Sequence, residues 1–412
     1  MLFSATMRGR PLGVRIPSSM KISRRFAFIL SVLAGVSLPL FHTRAQEKPA
    51  SPRRYIAYVG TYTAKTKSKG IYAYMFEAAT GKLGSPSVAA ESVDPSFLVL
   101  HPNGKYLYAV NEIENFKGEK SGAVSAYSID RKTGKLTLLN QVSSRGLDPC
   151  HLSLDKTGNY VLVANYTSGT VTVFPVKSDG KLGNYTGFEQ YSGSGPNQAR
   201  QEGPHAHWIE TSPDNRFLIA ADLGSDRIRV SRFHVPDGAF SPNQPDTSVS
   251  SKPGAGPRHA VFSPSGKFFY VTSELNSTVA AYSYDPEAGK LTEIQIASTL
   301  PKDFAGSNDT AEIAVHPTGR FLYVSNRGRD SIAVFAVNAA TGTLTPLADI
   351  ATNGKTPRHF AIDPTGRFLL VENQESNSIV TFRINLSTGG LTLTGQTVEV
   401  PSPVDLAFLS NE

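Results

Sequence analysis

The chain has 412 residues, 40% of them hydrophobic, and a formal net charge of +7. Seven of its 41 basic residues lie in positions 1–45, which contain no acidic residue, so the remaining 34 balance the 34 acidic residues. A near-neutral body excludes the strongly basic surface with which proteins bind nucleic acid or anionic membranes.

The first 45 residues have the pattern of a secretory signal peptide. Basic residues including Arg24 and Arg25 precede an apolar run over 26–41, and Thr43-Arg44-Ala45 offers a cleavage site. The run is shorter than the roughly 20 residues that span a bilayer. We therefore expect an exported protein, periplasmic or secreted, without stable membrane association, and an uncleaved anchor is the alternative.

Two details of this leader stay open. Arg24 and Arg25 are compatible with the twin-arginine route as well as the general export route. The leader can begin at Met20 as well as at Met1.

We assign 1–45 to the signal peptide, 46–54 to a linker and 55–412 to a single domain. Cys150 is the only cysteine, so no intramolecular disulfide can form.

From residue 95 onward the chain repeats one β-hairpin six times. In each copy, two arms rich in β-branched and aromatic residues flank a short turn that ends in glycine, or once in Asn215. The turn residues lie 47 to 57 positions apart. The six hairpins are Pro95–Asn111, Pro149–Asn165, Pro204–Asp222, Pro257–Glu274, Ala311–Arg327 and Pro357–Asn373.

A weaker pair of strands follows each hairpin, for example over 277–292. Four strands in about fifty residues are typical of one β-propeller blade. Residues 403–408 resemble a first arm without a second, and residues 54–59 resemble a second arm without a first. We therefore predict an all-β, seven-bladed β-propeller whose ring is closed by N- and C-terminal strands sharing one blade. An open array of hairpins would leave these end strands unpaired.

The polar residues of the hairpins are expected to meet at one mouth of the ring. Each first arm begins, and each second arm ends, at the end of the blade opposite the turn. Five of the nine histidines fall at these positions, together with arginines and carboxylates. Arginines there suit a carboxylate or phosphate, and a histidine with a glutamate can move protons. The pattern indicates an anion-binding pocket with acid–base capacity.

Other chemistries lack support in the sequence. It contains no nucleophile elbow, Walker loop or dinucleotide fingerprint, and the lone Cys150 lacks an obvious activating context. His205 and His207 alternate along a strand and could supply two metal ligands, but the arginines of the same mouth would repel a divalent cation. We expect neither a metal nor an organic cofactor.

Several motifs resemble the seven-bladed propeller lactonases, a family that includes propeller-type 6-phosphogluconolactonase and the fungal carboxy-muconate lactonizing enzyme. The resemblance extends from Tyr55 to Phe408. The motifs are GPHAH at 203–207, GPRH at 256–259 with SEL at 273–275, LYVSNRG at 322–328 and TPRHF at 356–360.

The resemblance implies an active site of one histidine, two arginines and one glutamate. By motif these are His205 or His207, Arg258, Glu274 and Arg327. Other residues at the predicted mouth complete it as candidate substrate-binding residues: His151, Asn165, His259, Arg358, His359 and Glu372. The resemblance implies no metal.

We therefore predict a monomeric lactone hydrolase. Its substrate would be a sugar-type lactone, either like 6-phosphogluconolactone or an unphosphorylated aldonolactone, which fits an exported enzyme better. One alternative is a non-enzymatic binding or scaffold propeller of the YVTN-repeat type, which needs no such convergence of His, Arg and Glu. The other is a muconate-type lactonizing cycloisomerase.

Overall fold

The computed structural model describes residues Arg54–Ser410, and every regular element in this range is a β-strand. The predicted all-β class is therefore confirmed. The predicted signal peptide and most of the linker lie outside the described residues. Between residues 54 and 410 no helix is long and apolar enough to cross a membrane.

The described residues form 32 strands. The first ten are β1 Arg54–Thr61, β2 Gly70–Glu77, β3 Lys82–Leu83, β4 Ser87–Glu91, β5 Leu98–Leu100, β6 Tyr106–Asn111, β7 Asn115–Phe116, β8 Glu119–Lys120, β9 Ala123–Ile129 and β10 Leu136–Ser143. The next nine are β11 Pro149–Leu154, β12 Tyr160–Asn165, β13 Thr170–Pro175, β14 Gly187–Gln190, β15 Ala206–Thr211, β16 Phe217–Asp222, β17 Arg227–His234, β18 Ala239–Pro242 and β19 Val249–Ser250. The last thirteen are β20 Pro257–Phe262, β21 Phe268–Ser273, β22 Thr278–Asp285, β23 Lys290–Ser298, β24 Asp309–Val315, β25 Phe321–Arg327, β26 Ser331–Val337, β27 Leu344–Ala351, β28 Pro357–Ile362, β29 Phe368–Asn373, β30 Ser378–Ile384, β31 Leu391–Glu399 and β32 Pro403–Ser410.

These strands form seven antiparallel blades. From the inner to the outer strand, blade 1 is β5-β6-β9-β10, blade 2 is β11 to β14, and blade 3 is β15 to β18 with β19 beside β17. Blades 4, 5 and 6 are β20 to β23, β24 to β27 and β28 to β31. Blade 7 is β32-β1-β2, with both β3 and β4 paired to β2. The seven inner strands contact one another in sequence around the ring, β32 next to β5.

The ring closes as predicted. Strand β1 pairs antiparallel with β32, from Tyr55 opposite Ser410 to Gly60 opposite Asp405. The turn residues of the six hairpins all have positive φ, from 61° at Asn215 to 76° at Gly158. That left-handed conformation explains why glycine or asparagine occupies every one of these positions.

Contacts between blades involve both faces of the middle strands. Every residue of β12, β16 and β29 is buried. Gly342, in an outer turn of blade 5 with φ of 73°, lies so close to Phe268 of blade 4 that a Cβ atom would be 2.4 Å from the ring. The Tyr270 hydroxyl donates a hydrogen bond to the Gly342 carbonyl at 3.1 Å. This turn of blade 5 is therefore packed and hydrogen-bonded against the sheet of blade 4.

Three features of the fold were not predicted. Strands β4 and β19 add a fifth strand to blades 7 and 3, and β7 with β8 forms a separate small hairpin. All three are short or polar segments in which no apolar alternation marks a strand. The propeller also begins at Arg54, one residue inside the segment assigned to the linker.

Candidate active site

Glu274 is the centre of the charged cluster at the predicted mouth. It directly follows β21, and its side chain is only 3% exposed. Its Oε2 atom lies 2.8 Å from Arg258 Nε and 2.8 Å from Arg327 Nη2, and its Oε1 atom pairs with Arg200. Arg258 is the second residue of β20 and Arg327 is the last residue of β25, so neighbouring blades hold these two arginines.

The charges in this cluster do not cancel. Burial opposes ionisation of Glu274, but Arg327 and Arg258 outweigh it and hold the pKa of Glu274 well below its usual range. Burial and the charge of Arg327 lower the pKa of Arg258 to about 10, so this guanidinium is still charged at neutral pH. Three guanidinium groups therefore surround one carboxylate, and the cluster has an excess of positive charge.

Several donors in the cluster have no hydrogen-bond partner. Arg258 Nε and Glu274 Oε2 are at ion-pair distance, but their angles do not form a hydrogen bond, and we regard the contact as electrostatic. Arg258 Nη1 and Arg327 Nε also have no partner among the described residues. Unpaired buried donors are costly, so they favour an acceptor that arrives with a ligand.

His207 and His205 lie in different surroundings. The His207 ring is buried with its centroid 5.2 Å from that of His259, and its Nδ1 is 3.7 Å from the Cys150 sulfur. Burial and the charge of Arg258 lower the pKa of His207 well below its usual value, so the ring is neutral. His205 instead stacks on Tyr166 at 4.5 Å, with its Nε2 3.2 Å from Glu202. Of the two, His207 is the one beside the arginine cluster.

A layer of seven side chains, the floor layer, lies one residue further along the inner strands than His207, Arg258 and Arg358. Its members occupy the same position on the seven inner strands, which is seven residues before the turn residue in blades 1 to 6. Neighbours are in contact: the ring centroids of Phe97 and His151 are 4.4 Å apart, and His259 Nδ1 is 2.7 Å from Glu312. The layer consists of Phe97, His151, Trp208, His259, Glu312, His359 and Asp405.

The ionisable groups of this floor layer are largely neutral. His359 Nε2 is 3.1 Å from Asp405, and its Nδ1 is 2.9 Å from Glu372, which lies behind the layer. Burial raises the pKa of Glu312 and of Asp405 to about 8. Burial and the charge of Arg258 lower the pKa of His151 and of His359 to about 3. Protonated carboxyl groups therefore face neutral imidazoles.

Arg358 lies on another part of the mouth. Its guanidinium carbon is 5.3 Å from the centroid of the Tyr62 ring, and the Tyr62 hydroxyl donates to Glu112 at 2.9 Å. Burial disfavours the charge of Arg358, but Tyr62 and Glu112 more than compensate and raise its pKa. Arg358 is thus a charged, partly exposed group with the carboxyl group of Glu112 nearby.

Two of the predicted binding residues point away from the mouth. Asn165 is fully buried, and its amide donates to the Ser144 carbonyl at 3.1 Å and to Thr170 at 3.0 Å. The equivalent Asn111 and Asn326 make similar bonds to the loop before their own blade, which favours a structural role for all three. Glu372 is also fully buried, and it contacts His359 rather than solvent.

Four residues of the site were not predicted from the sequence: Arg200, Tyr166, Tyr62 and Glu112. Arg200 lies in the loop between β14 and β15, outside the repeat, so no pattern identifies it. Tyr166 and Glu112 do follow a pattern: like Glu274 and Arg327, each lies eight residues after its turn residue. His207, Arg258 and Arg358 likewise lie eight residues before theirs. Counting from the turn would have found Tyr166 and Glu112.

The cluster supports binding and proton transfer more readily than metal chemistry. Within residues 54–410 no group of three or more His, Cys, Asp or Glu side chains is arranged to hold a metal ion. Cys150 is buried, and burial, together with the charge of Glu112, raises the pKa of its thiol. A thiol in that state is a poor nucleophile.

Comparison with known proteins identifies the family. The 6-phosphogluconolactonase of Bacillus subtilis is 41% identical over 356 residues, which cover 86% of this chain and 99% of the relative. The 6-phosphogluconolactonase of Formosa agariphila is 37% identical over 305 residues, covering 74% of this chain and 85% of the relative. The solved structure of a periplasmic gluconolactonase from Pseudomonas aeruginosa is 35% identical, with a TM-score of 0.81, covering 87% of this chain and 100% of that one.

The family model described as lactonase, 7-bladed β-propeller, matches residues 56–408. This range is nearly the whole of the described propeller, so the resemblance drawn from the sequence motifs is confirmed, and with it the predicted enzyme class of lactone hydrolases. The chain belongs to the seven-bladed β-propeller lactonase family.

Proposed function

We propose that the chain hydrolyses sugar-type lactones at the mouth formed by His207, Arg258, Glu274 and Arg327. The observation that carries this proposal is the convergence of two buried arginines on one carboxylate beside a neutral histidine. The names of the Bacillus subtilis and Pseudomonas aeruginosa relatives support a sugar lactone as substrate, with or without a phosphate.

Arg258 and Arg327 would stabilise the oxyanion. When water adds to the lactone carbonyl, the carbonyl oxygen gains a full negative charge. The unpartnered N–H groups of Arg258 and Arg327 are fixed donors that can form hydrogen bonds to this oxyanion. Because both arginines are held by Glu274, they need little rearrangement as the charge develops. Such preorganised donors are typically worth about 10²- to 10³-fold in rate each.

His207 is the better general base of the two candidates. Glu274 holds its charge so strongly that it has little tendency to accept a proton, whereas the neutral imidazole of His207 has a lone pair that can accept one. The lowered pKa of His207 makes it a weak base at rest, so it would take the proton only as the attacking water loses it. His207 would take a proton from the attacking water and return it to the ring oxygen as the carbon–oxygen bond breaks. The product is a hydroxy acid, which loses its carboxyl proton to solvent at neutral pH. Glu274 then acts as a positioning residue.

An exported protein fits an unphosphorylated substrate better than a phosphorylated one. The leader over 1–45 is the feature that supports export, and the Pseudomonas aeruginosa relative is named a periplasmic enzyme. Phosphorylated sugar lactones arise inside the cell, so we favour an aldonolactone. Mass spectrometry of the exported protein should find Gln46 as its first residue, and an intact leader would favour a membrane anchor.

The proposal is tested by proton release from a panel of lactones. The panel contains glucono-1,5-lactone, its 6-phosphate and a muconolactone, with the parent protein and an Arg258→Gln variant. Arg216→Gln is the control, since Arg216 pairs with Glu287 at the exposed turn end of its blade. We expect hydrolysis of a sugar lactone by the parent and control, and a loss of at least 100-fold in kcat/KM for Arg258→Gln. Absence of hydrolysis by the parent would favour a binding protein, and activity on the muconolactone alone would favour a cycloisomerase.

A further inference from the structure

Arg200 differs from the other two arginines that contact Glu274. It pairs with Oε1, whereas Arg258 and Arg327 both lie on Oε2. Its side chain is 36% exposed, against 2% for Arg258 and 15% for Arg327. It also comes from a loop, whereas the other two are on strands. Arg200 is therefore the guanidinium that can leave Glu274 with the least disturbance of the fold.

The loop that carries Arg200 is anchored by its next residue. Gln201 is fully buried and donates to the Leu223 carbonyl at 2.9 Å and to Asp226 at 2.8 Å. Asp226 in turn accepts bonds from the backbone of Gly254 and Gly256. The backbone beside Arg200 is thus fixed to blade 3. A change at Arg200 is expected to be a movement of its side chain over the mouth.

The excess positive charge of the arginines around Glu274 favours binding of a second anion. Three guanidinium groups surround the Glu274 carboxylate, which cannot balance all of them by itself. Tyr166 also contacts Arg200, and Glu274 with Tyr166 raises the pKa of Arg200 against the effect of burial. Opening of a lactone creates a carboxylate where the neutral carbonyl was. A carboxylate matches the planar fork of an arginine, which can donate two parallel hydrogen bonds to it.

We propose that Arg200 is a binding residue for the carboxylate of the ring-opened hydroxy acid, and that it exchanges Glu274 for this carboxylate when the product forms. In the free protein the Glu274 carboxylate pairs with the Arg200 guanidinium at the place that the product carboxylate would take. This inference rests on the proposed function, because it takes the ligand to be a lactone that opens. It predicts that aldonates bind to the site and inhibit it, and that Arg200 sets how strongly they do so.

The test measures binding of D-gluconate by titration calorimetry at neutral pH. D-Glucitol, which has the same polyol chain without the carboxylate, is the ligand control. The proteins are the parent, Arg200→Gln, Arg200→Lys and the control Arg216→Gln, whose arginine is 41% exposed and pairs with Glu287 at the turn end of its blade. Loss of one charge-assisted interaction should weaken gluconate binding about 10- to 100-fold in Arg200→Gln. Arg200→Lys should lie between it and the parent, and Arg216→Gln should equal the parent.

Each other outcome overturns the inference. Gluconate binding that is equally tight in Arg200→Gln and the parent would show that Arg200 does not bind the carboxylate. Equal binding of glucitol and gluconate would show that charge is not recognised, and no binding of gluconate to the parent would show that no carboxylate site exists. Because this readout needs no turnover, it is separate from the proposed function. Lactone hydrolysis without Arg200-dependent gluconate binding overturns the inference alone, and the reverse result overturns the proposed function alone.

Discussion

Replacing Glu274 by glutamine should cost both stability and activity, because it leaves buried guanidinium groups without a counter-charge. Arg258 is 2% exposed and its Nε faces Glu274 at 2.8 Å, so it cannot regain water when the carboxylate is lost. Removing one partner of a buried ion pair costs roughly 3–5 kcal/mol. For about 360 ordered residues, an unfolding entropy of about 2.1 cal/mol/K per residue converts this cost into a fall in Tm of roughly 4–7 °C.

The activity loss has a different origin from the stability loss. Without Glu274 the two proposed oxyanion donors, Arg258 and Arg327, lose the group that orients them, so we expect kcat/KM to fall about 10²- to 10³-fold. Calorimetric unfolding and initial-rate kinetics on the same preparation measure both effects. In the double variant Arg258→Met, Glu274→Gln the stability losses should be less than additive by about 1–3 kcal/mol.

A matched control separates the cluster from general effects of charge. Glu287 pairs with Arg216 at 3.1 Å but is exposed, so Glu287→Gln should change stability by less than about 1 kcal/mol and leave kcat/KM unchanged. The reasoning is refuted if Glu274→Gln is as stable as the parent, or if it keeps activity within threefold. Additive losses in the double variant would show that Arg258 and Glu274 are not energetically coupled.

Three further predictions concern other parts of the molecule. Because the pKa of His207 is far below its usual value, kcat/KM should show no acid limb near pH 6.5, and an inflection there that His207→Gln abolishes would contradict this assignment. Gly342→Ala should destabilise the fold by at least about 1–2 kcal/mol, since its φ is positive and its Cβ would meet Phe268, whereas Gly84→Ala should be nearly neutral; equal unfolding midpoints would be the contrary result. Asp405 keeps its proton in the fold up to about pH 8 but loses it near pH 3.9 when unfolded, so stability should fall as the pH rises between 6.5 and 8, by at most about 1.4 kcal/mol per pH unit for this group. Below pH 6.5 the buried neutral histidines have the opposite effect, because the free energy of unfolding falls as the pH drops and they must take up protons. Asp405→Asn should reduce the loss of stability between pH 6.5 and 8. An unchanged pH dependence in this variant would contradict the assigned protonation of Asp405.

The fold could be predicted because its repeat is set by short-range physics. The turn at Gly266 needs a positive φ, and the same need recurs at every blade, so the turn residues mark the period of the chain. The unpaired arms at the two ends then required ring closure, which β1 and β32 provide. Strands β4 and β19 could not be predicted, because each is stabilised by pairing with one neighbouring strand and has no apolar alternation in its own sequence.

The site could be predicted only where side-chain direction follows from strand position. Arg258 and Glu274 lie eight residues before and after the turn, and this spacing brings their side chains together at the mouth. Asn165 lies seven residues after its turn residue, whereas Glu274 lies eight residues after its own. Because side chains alternate along a strand, this difference of one residue directs the Asn165 side chain between blades. Arg200 depends on the path of a long loop, which no local rule determines.

The floor layer and the arginine cluster together explain how a positive charge is kept available at the mouth. An ionised carboxylate at Glu312 would attract the charge of Arg258, with which it interacts electrostatically. Burial raises the pKa of Glu312 and of Asp405 to about 8, so the floor layer is largely neutral near pH 7. It therefore does little to offset the positive charge of Arg258. In a site removed from water, that charge acts with little screening on whatever charge develops at the mouth. In the proposed mechanism, the positive charge that Glu274 does not balance acts on the carbonyl oxygen of a bound lactone.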